Sequence, residues 1–168
     1  MVVVEPSQRK DLDLIQAISE DVFSEYDAYV RLLPRFFSTQ GVTTYMARQA
    51  HETVGFLMIG FLPWNAGKRE SDSWIADILA IAVVPRMQRR GIGRSMMDQA
   101  LSLVSQMADW REVREIHLTC AESNKAGVGF FTRYGFRVID PHHGRYLSGQ
   151  NALRMAKPFP RDQKPLLD

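Results

Sequence analysis

The densest chemistry in this chain lies in Val83-Val84-Pro85-Arg86-Met87-Gln88-Arg89-Arg90-Gly91-Ile92-Gly93-Arg94, a strand-like run entering a glycine-containing turn and a helix start. Such a turn binds anions. Amides in the first turn of a helix lack intrahelical partners and carry about half a positive charge, and glycines remove the Cβ atoms that would hold a phosphate away. Arg86, Arg89, Arg90 and Arg94 add cations around the same opening. A P-loop would need G-x-x-x-x-G-K-[ST], which does not occur, and a dinucleotide fingerprint would need a third glycine or alanine where Met96 stands. A helix that merely begins at glycines, with its arginines solvated, is the competing reading of the pattern alone.

The elements that must position this turn are legible from periodicity. Val2 to Val4 is a short strand, and Ser7 is placed to cap a helix carrying Leu12, Ile15, Ile18, Val22 and Phe23 at helical spacing. A second helix is expected near Tyr29 to Ser38, bent or restarted at Pro34. Val42 to Gln49 and Val54 to Leu62 form a hairpin, Pro63 to Ser73 a polar loop, and Trp74 to Val84 a buried central strand with one acid, Asp77. From Gly93 a helix shows Met97, Ala100, Leu101, Val104 and Met107 on one face. Then come a strand at Ile116 to Cys120, a helix at Lys125 to Tyr134 closed by Gly135, a strand at Phe136 to Ile139, a loop from Pro141 to Gln150 and a returning strand at Leu153 to Ala156. This order predicts a mixed α/β sheet, since helices and strands do not simply alternate.

Composition bounds the rest. The 168 residues suit one domain spanning 1–168, with no repeat and no Gly/Ser linker to suggest a second. The net charge of +2 is too small for nucleic-acid binding through bulk charge, so no nucleic-acid partner is expected. One cysteine, Cys120, cannot close an internal disulfide, which fits a reducing compartment. No run approaches the ~20 apolar residues of a membrane span, and Val2 to Val4 is cut short by Glu5 and Pro6 before a signal sequence could form. A cytoplasmic protein without a membrane partner is expected.

The string Gln88-Arg89-Arg90-Gly91-Ile92-Gly93 resembles the Q/R-x-x-G-x-G/A hallmark of the GNAT superfamily of acetyl-CoA-dependent N-acetyltransferases. The likeness continues through the acid-bearing strand, Asn124 after the next strand, the Phe130-Phe131-Thr132-Arg133-Tyr134-Gly135-Phe136 helix end and the final hairpin. It covers residues 42 to 157, and the first 40 only in outline. It implies a mostly antiparallel mixed sheet of six to seven strands with a splayed central parallel pair, flanked by about four helices, with the CoA-binding core at about 74–136. It also implies acetyl-CoA as cosubstrate and a small-molecule or protein amine as acceptor, with homodimers common among members. By that resemblance Arg89, Arg90, Gly91, Ile92, Gly93 and Arg94, with Gln88, cradle the CoA pyrophosphate. Ile81, Ala82 and Val83 meet the pantetheine arm, joined by Asn124 and Phe131, and the Val83 amide receives the oxyanion.

Attack on a thioester needs a neutral amine, whereas a lysine amine has a pKa near 10.4 and an α-amine near 8. In the histone-acetyltransferase branch a central-strand glutamate accepts the proton, and Asp77 stands at that place, acting through water because it is shorter. The alternative for Asp77 is a hydrogen-bonded strand acid. Many members carry a tyrosine acid where this chain has Phe131, so Tyr134, three residues on, is the candidate acid against a packing role. Cys120 reads as a packed thiol in preference to a ping-pong nucleophile, which favours direct transfer. His142 and His143, beside Arg145 and Tyr146, lie in a loop that often meets substrate; no metal site is expected there. Glu20, Asp21, Glu25 and Asp27, interleaved with Phe23, Tyr26 and Tyr29, form either an acidic wall that attracts a cationic amine or a solvated face. Trp64 and Trp74 are candidates to line the cleft. The missing tyrosine keeps a second class open, a non-catalytic acyl-CoA-binding or regulatory module.

Overall fold

The centre of the molecule is a pair of long apolar strands, β3 (Glu52–Pro63) and β4 (Ser73–Val83), which read as continuous hydrophobic runs because both their faces are covered. The computed structural model describes residues 1–64 and 73–159, with Asp27 and Ala28 described by backbone alone. Around that pair the described chain runs β1 (Val3–Pro6), α1 (Leu12–Phe23), α2 (Asp27–Phe37), β2 (Val42–Gln49), β3, β4, α3 (Ile92–Ala108), β5 (Glu112–Ala121), α4 (Lys125–Arg133), β6 (Arg137–Arg145) and β7 (Asn151–Pro158). The seven strands form one sheet in the order β1-β2-β3-β4-β5-β7-β6. Neighbours are antiparallel except β4 and β5, which are parallel. Among the described residues no helix is long and apolar enough to cross a membrane.

The helices supply the cover. Ile15 and Ile18 of α1, one turn apart, are buried, and α3 buries Ile92, Met96, Met97, Ala100 and Val104 along one stripe. The second helix runs through Pro34 without a break and starts two residues before the position expected. Ser7 does not cap α1: its amide donates to the Thr44 carbonyl (2.9 Å), so the segment is held by the sheet. The entry is instead fixed by Asp11, whose carboxylate accepts from the Gln8 amide (2.8 Å) and from Arg48 Nη2 (2.8 Å). Burial opposes the charge on Asp11, but the Gln8 amide and the Arg48 guanidinium outweigh it and hold the carboxyl below its ordinary range. The β2–β3 hairpin turns on Ala50 (φ +48°) and His51 (φ +70°), two left-handed residues that match strand twist without the Asn-Gly pair that usually advertises such a turn.

Two features position the site. The β3–β4 register slips between Met58 and Ile59, which pair with Ala80 and Ile78, so Leu79 is an extra residue bulging from β4. The parallel pairing of β4 with β5 then ends at Ile78↔Leu118, while β4 stays with β3 to Val83 and β5 stays with β7 to Ala121. The two strands therefore part. The expected loop from Pro141 is shorter than its sequence suggests: β6 reaches Arg145, because Asn151 Nδ2 donates to the Pro141 carbonyl (2.7 Å) and Gly144 and Arg145 pair with Ala152 and Asn151. The turn proper is Tyr146 to Gln150, closed by Tyr146 N–H to the Gln150 carbonyl (2.9 Å).

Gly55 in β3 is a position where no side chain fits, since a Cβ there would lie 2.3 Å from the Ala82 carbonyl oxygen. Gly55→Ala should lower the free energy of unfolding by about 1–3 kcal/mol, the usual cost of overpacking. Urea titration of the variant checks this, and an unchanged midpoint would show that β3 and β4 separate without cost.

Candidate active site

The candidate anion turn is built by backbone. A 3-10 turn at Pro85–Met87 ends β4, Arg89 (φ +63°) and Gly91 (φ +84°) take left-handed conformations, and α3 begins at Ile92. The first capping bond, Ser95 N–H to the Gly91 carbonyl (3.0 Å), leaves the preceding amides of Ile92, Gly93 and Arg94 without partners inside the helix. Nothing stands within 4 Å of where a Gly91 Cβ would sit. Arg89, Arg90 and Arg94 are exposed, and among the described residues none of them makes an ion pair. Arg86 is different, being forked on Glu52 across the β2–β3 turn. Unpaired amides, open space and exposed guanidiniums suit a pyrophosphate. Ile92 is buried and can offer only its amide.

The opening between the strands leads away from this turn as a cleft of about 490 Å³ lined by α1, α2, β4, β5, α4 and the β6–β7 turn. Val84 N–H donates to Val54 of β3, whereas the Val83 carbonyl accepts from Gln88 Nε2 (3.0 Å) and the Leu79 carbonyl from the Tyr29 hydroxyl (2.9 Å). Backbone groups alternate sides along a strand, so Leu79, Ile81 and Val83 face the gap. Ile81 and Val83 line the cleft, as do Gln88, Gly93, Asn124 and Phe131. Ala82 points the other way and is buried against Gly55. Asn124 caps α4, its Oδ1 accepting from Gly127 N–H (2.9 Å).

The other end of the cleft is aromatic. Tyr26 from the α1–α2 junction, Tyr29 from α2 and Tyr146 from the β6–β7 turn converge, with Tyr26–Tyr146 ring centroids 4.9 Å apart and Tyr29–Tyr146 6.1 Å. Burial, reinforced by the Asp77 charge, pushes the Tyr29 hydroxyl up to about 12. Burial, with Tyr29 nearby, also raises Tyr146. Both stay neutral at physiological pH. Cys120 lines the same space with its thiol pushed up to about 11 by burial, so it carries almost no thiolate. Asp21 and Glu25 stand at the acidic rim. Glu20 points elsewhere, accepting from Gln16, and the Asp27 side chain lies outside the described residues.

Several sequence candidates sit away from the cleft. Tyr134 donates to Asp98 Oδ1 (3.1 Å), tying α4 to α3, and is not among the lining residues. Burial, then the Asp98 charge, raises its hydroxyl pKa. His142 and His143 are exposed on β6 around Asp140, with His143 Nδ1 3.4 Å from Asp140 Oδ2. Trp74 lies under the Arg111 guanidinium (4.5 Å) and Trp64 meets the His117 ring edge-on, so neither lines the cleft. Asp77 is 8% exposed, beneath the lining residue Ile78, and both its oxygens accept from Arg154, at 3.1 and 3.0 Å. Arg154, Thr119 and the tyrosine convergence were not expected from sequence. The available signal for Arg154 was one cation in the otherwise apolar Ala152 to Ala156, matching one acid in β4.

The Acetyltransferase (GNAT) family profile matches residues 12–136. The chain therefore belongs to the GNAT acetyltransferase family, whose acyl donor is acetyl-CoA. It is 25% identical over 176 residues to an N-alpha-acetyltransferase of Sulfolobus acidocaldarius, covering 95% of this chain and 100% of that protein. Its fold matches that of Arabidopsis thaliana NAA60, solved with a bisubstrate analogue (TM-score 0.74, 15% identity, 94% and 98% covered). It also matches the ribosomal-protein-S18-alanine N-acetyltransferase of Escherichia coli (TM-score 0.70, 17% identity, both chains fully covered).

CoA should raise the melting temperature, since a ligand at 100 times its Kd stabilises by about 2.7 kcal/mol. A Gly93 Cβ would lie 3.7 Å from the Phe130 ring, an ordinary contact, so Gly93→Ala should fold normally and Gly93→Asp should fail through its charge. Equal CoA-induced shifts in wild type and Gly93→Asp would remove the pyrophosphate from this turn.

Proposed function

We propose that this protein is an N-alpha-acetyltransferase, moving acetyl from acetyl-CoA directly to the α-amine of a protein N-terminus. The observation that carries the reading is the cleft, which joins an anion turn to a tyrosine-walled slot at the point where β4 and β5 part. The name of the Sulfolobus relative, matched over nearly the whole chain, supports it. A cytoplasmic setting, expected from the lone cysteine, belongs to the same proposal. The non-catalytic alternative predicts CoA binding without turnover. Incubating the protein with acetyl-CoA and a set of peptides, and reading mass gain and free thiol, tests the reading. Acetyl appearing on the α-amine is the expected result; thiol release only with polyamines or blocked lysine peptides would overturn it.

In this reading the acetyl-CoA pyrophosphate rests on the amides of Gly91 to Arg94, with Arg89, Arg90 and Arg94 around it. The gap-facing amides of Ile81 and Val83 hold the acyl arm, and one of them receives the oxyanion of the tetrahedral intermediate. The amine nitrogen attacks the thioester carbon, loses a proton, and the C–S bond breaks as CoA leaves. The thiolate is a tolerable leaving group, with a thiol pKa near 8.5, so the place of the usual tyrosine can be taken by Phe131 without stopping turnover. Cys120, as a thiol, is a wall residue.

Asp77 enters as the proton acceptor, working through water. Arg154 occupies one lone-pair direction on each oxygen and leaves others for a water. Asp77→Asn should lower turnover about 10²- to 10⁴-fold with little change in acetyl-CoA KM. The same substitution disturbs a buried ion pair, so melting is measured beside it. Lower stability with normal turnover, or an acidic limb of the pH-rate profile identical to wild type, would make Asp77 purely structural.

Asp21 and Glu25 at the rim favour cationic acceptors, an effect that weakens as salt screens it. Reversing both to lysine should raise acceptor KM severalfold more than acetyl-CoA KM at low salt. An acceptor KM indifferent to salt and to the reversal marks them as solvated.

A further inference from the structure

The polar face beside the cleft holds an arrangement of which the acyl-transfer chemistry above uses only Asp77 and its Arg154 partner. In the β4–β5 register Asp77 stands beside His117, and in the β5–β7 register Thr119 stands beside Arg154, two residues further along β5. These four side chains share one face of the sheet. Arg154 reaches across β5 to Asp77 and is fixed by four contacts: both Asp77 oxygens, the Thr119 hydroxyl (3.1 Å from Nη1) and His117 Nδ1 (3.3 Å from Nη2). His117 is held in turn by Glu115 Oε2 (2.6 Å). The guanidinium is nearly buried, at 15% side-chain exposure.

Of this group Thr119 alone lines the cleft. It is the first residue of β5 after the last parallel pair, Ile78↔Leu118, and so sits where the strands begin to part. An arginine only donates, so the Thr119 oxygen must serve Arg154 as an acceptor. Among the described residues its own hydrogen has no acceptor. The hydroxyl is thus a positioned donor at the floor of the cleft.

We propose that Thr119 determines specificity by donating a hydrogen bond to the carbonyl oxygen that follows the acceptor's α-amine, and that Arg154 is the positioning residue that fixes it. The inference rests on the α-amine reading above and deepens it. A peptide N-terminus always carries that carbonyl one carbon from the amine. A lysine ε-amine or a polyamine carries only methylenes there, and would leave the donor unpaired in a water-poor slot. A neutral hydrogen bond lost this way reduces binding on the order of tenfold.

The test uses the full chain, acetyl-CoA and two peptides of one sequence containing a lysine, one with a free α-amine and one with that amine blocked. The quantity read is the ratio of kcat/KM for α-amine over ε-amine, and its change between proteins, in which differences in amine basicity cancel. Thr119→Val should lower the ratio about tenfold with acetyl-CoA KM unchanged, and Thr119→Ser should restore it. Arg154→Lys, which cannot hold Asp77 and Thr119 together, should lower it partway.

A ratio unmoved by Thr119→Val, or activity on both peptides falling equally, overturns the assignment while leaving the α-amine reading intact. Absence of α-amine acetylation by wild type overturns both. Where wild type does not turn over the ε-amine, the decision rests on acceptor KM, which Thr119→Val should raise about tenfold and Thr119→Ser should return. The CoA-induced melting shift checks that each variant is folded, and Thr119→Ala serves if Thr119→Val is not.

Discussion

The cleft exists because the parallel pairing of β4 and β5 stops at Ile78↔Leu118. Parallel strands must be joined by a crossover, and here α3 supplies it, so the N-terminus of that helix is delivered beside the end of β4. The Leu79 bulge interrupts β4, which goes on with β3 to Val83, while β5 follows β7. The result is a gap whose edge carries backbone donors and acceptors with no strand to satisfy them. Such an edge is costly inside a protein unless something occupies it. Two of its carbonyls are met internally, Leu79 by Tyr29 and Val83 by Gln88. Ile81 between them faces the cleft, where an extended acyl arm can pair with it as a strand would.

If strands part at one end, something must hold them at the other. The Asp77–Arg154 pair does this by spanning three strands, from β4 over β5 to β7, immediately below the gap. Buried ion pairs contribute little net stability against an apolar replacement, but losing one partner costs about 3–5 kcal/mol, so they are effective at enforcing one arrangement. Here every charged group in the cluster is matched, Asp77 by Arg154, Arg154 also by Thr119 and His117, and His117 by Glu115, which leaves over the Thr119 hydrogen. A satisfied network of this kind is rigid, which is what a cleft floor requires.

The architecture was largely legible in the sequence, because long apolar runs and helical stripes report burial directly. The hydrophobic pattern matches Val42–Gln49 to the residue, and β4 to within one residue at each end. The anion turn was readable for the same reason: its chemistry is local, carried by consecutive amides and by glycines at 91 and 93. What escaped was non-local. Asp77 was visible as a lone acid and Arg154 as a lone base in the last strand, but only the order β4-β5-β7 makes them partners. The tyrosine slot needed three separate segments to meet. Ser7 looked like a cap by residue type, yet its amide was already committed to the sheet edge. His142 and His143 look like loop residues because Pro141 and Gly144 discourage a strand, but β6 continues through them as an irregular stretch whose pairing with β7 resumes at Gly144.

The two halves of the cleft follow different physical rules, and the difference orders the events at the site. In the proposed reading the donor half uses backbone amides and exposed arginines, where charge would attract a polyanion from a distance and binding would weaken with salt. The acceptor half uses buried aromatic rings and hydroxyls, among them Tyr29 and Tyr146, that burial keeps protonated. On that reading, Asp21 and Glu25 at the rim and the tyrosine ring faces inside both attract an incoming ammonium. Moving inward leaves the rim acids and bulk water behind, and that desolvation favours the neutral amine which nucleophilic attack requires. The proton acceptor then takes up a proton that burial has made easier to release.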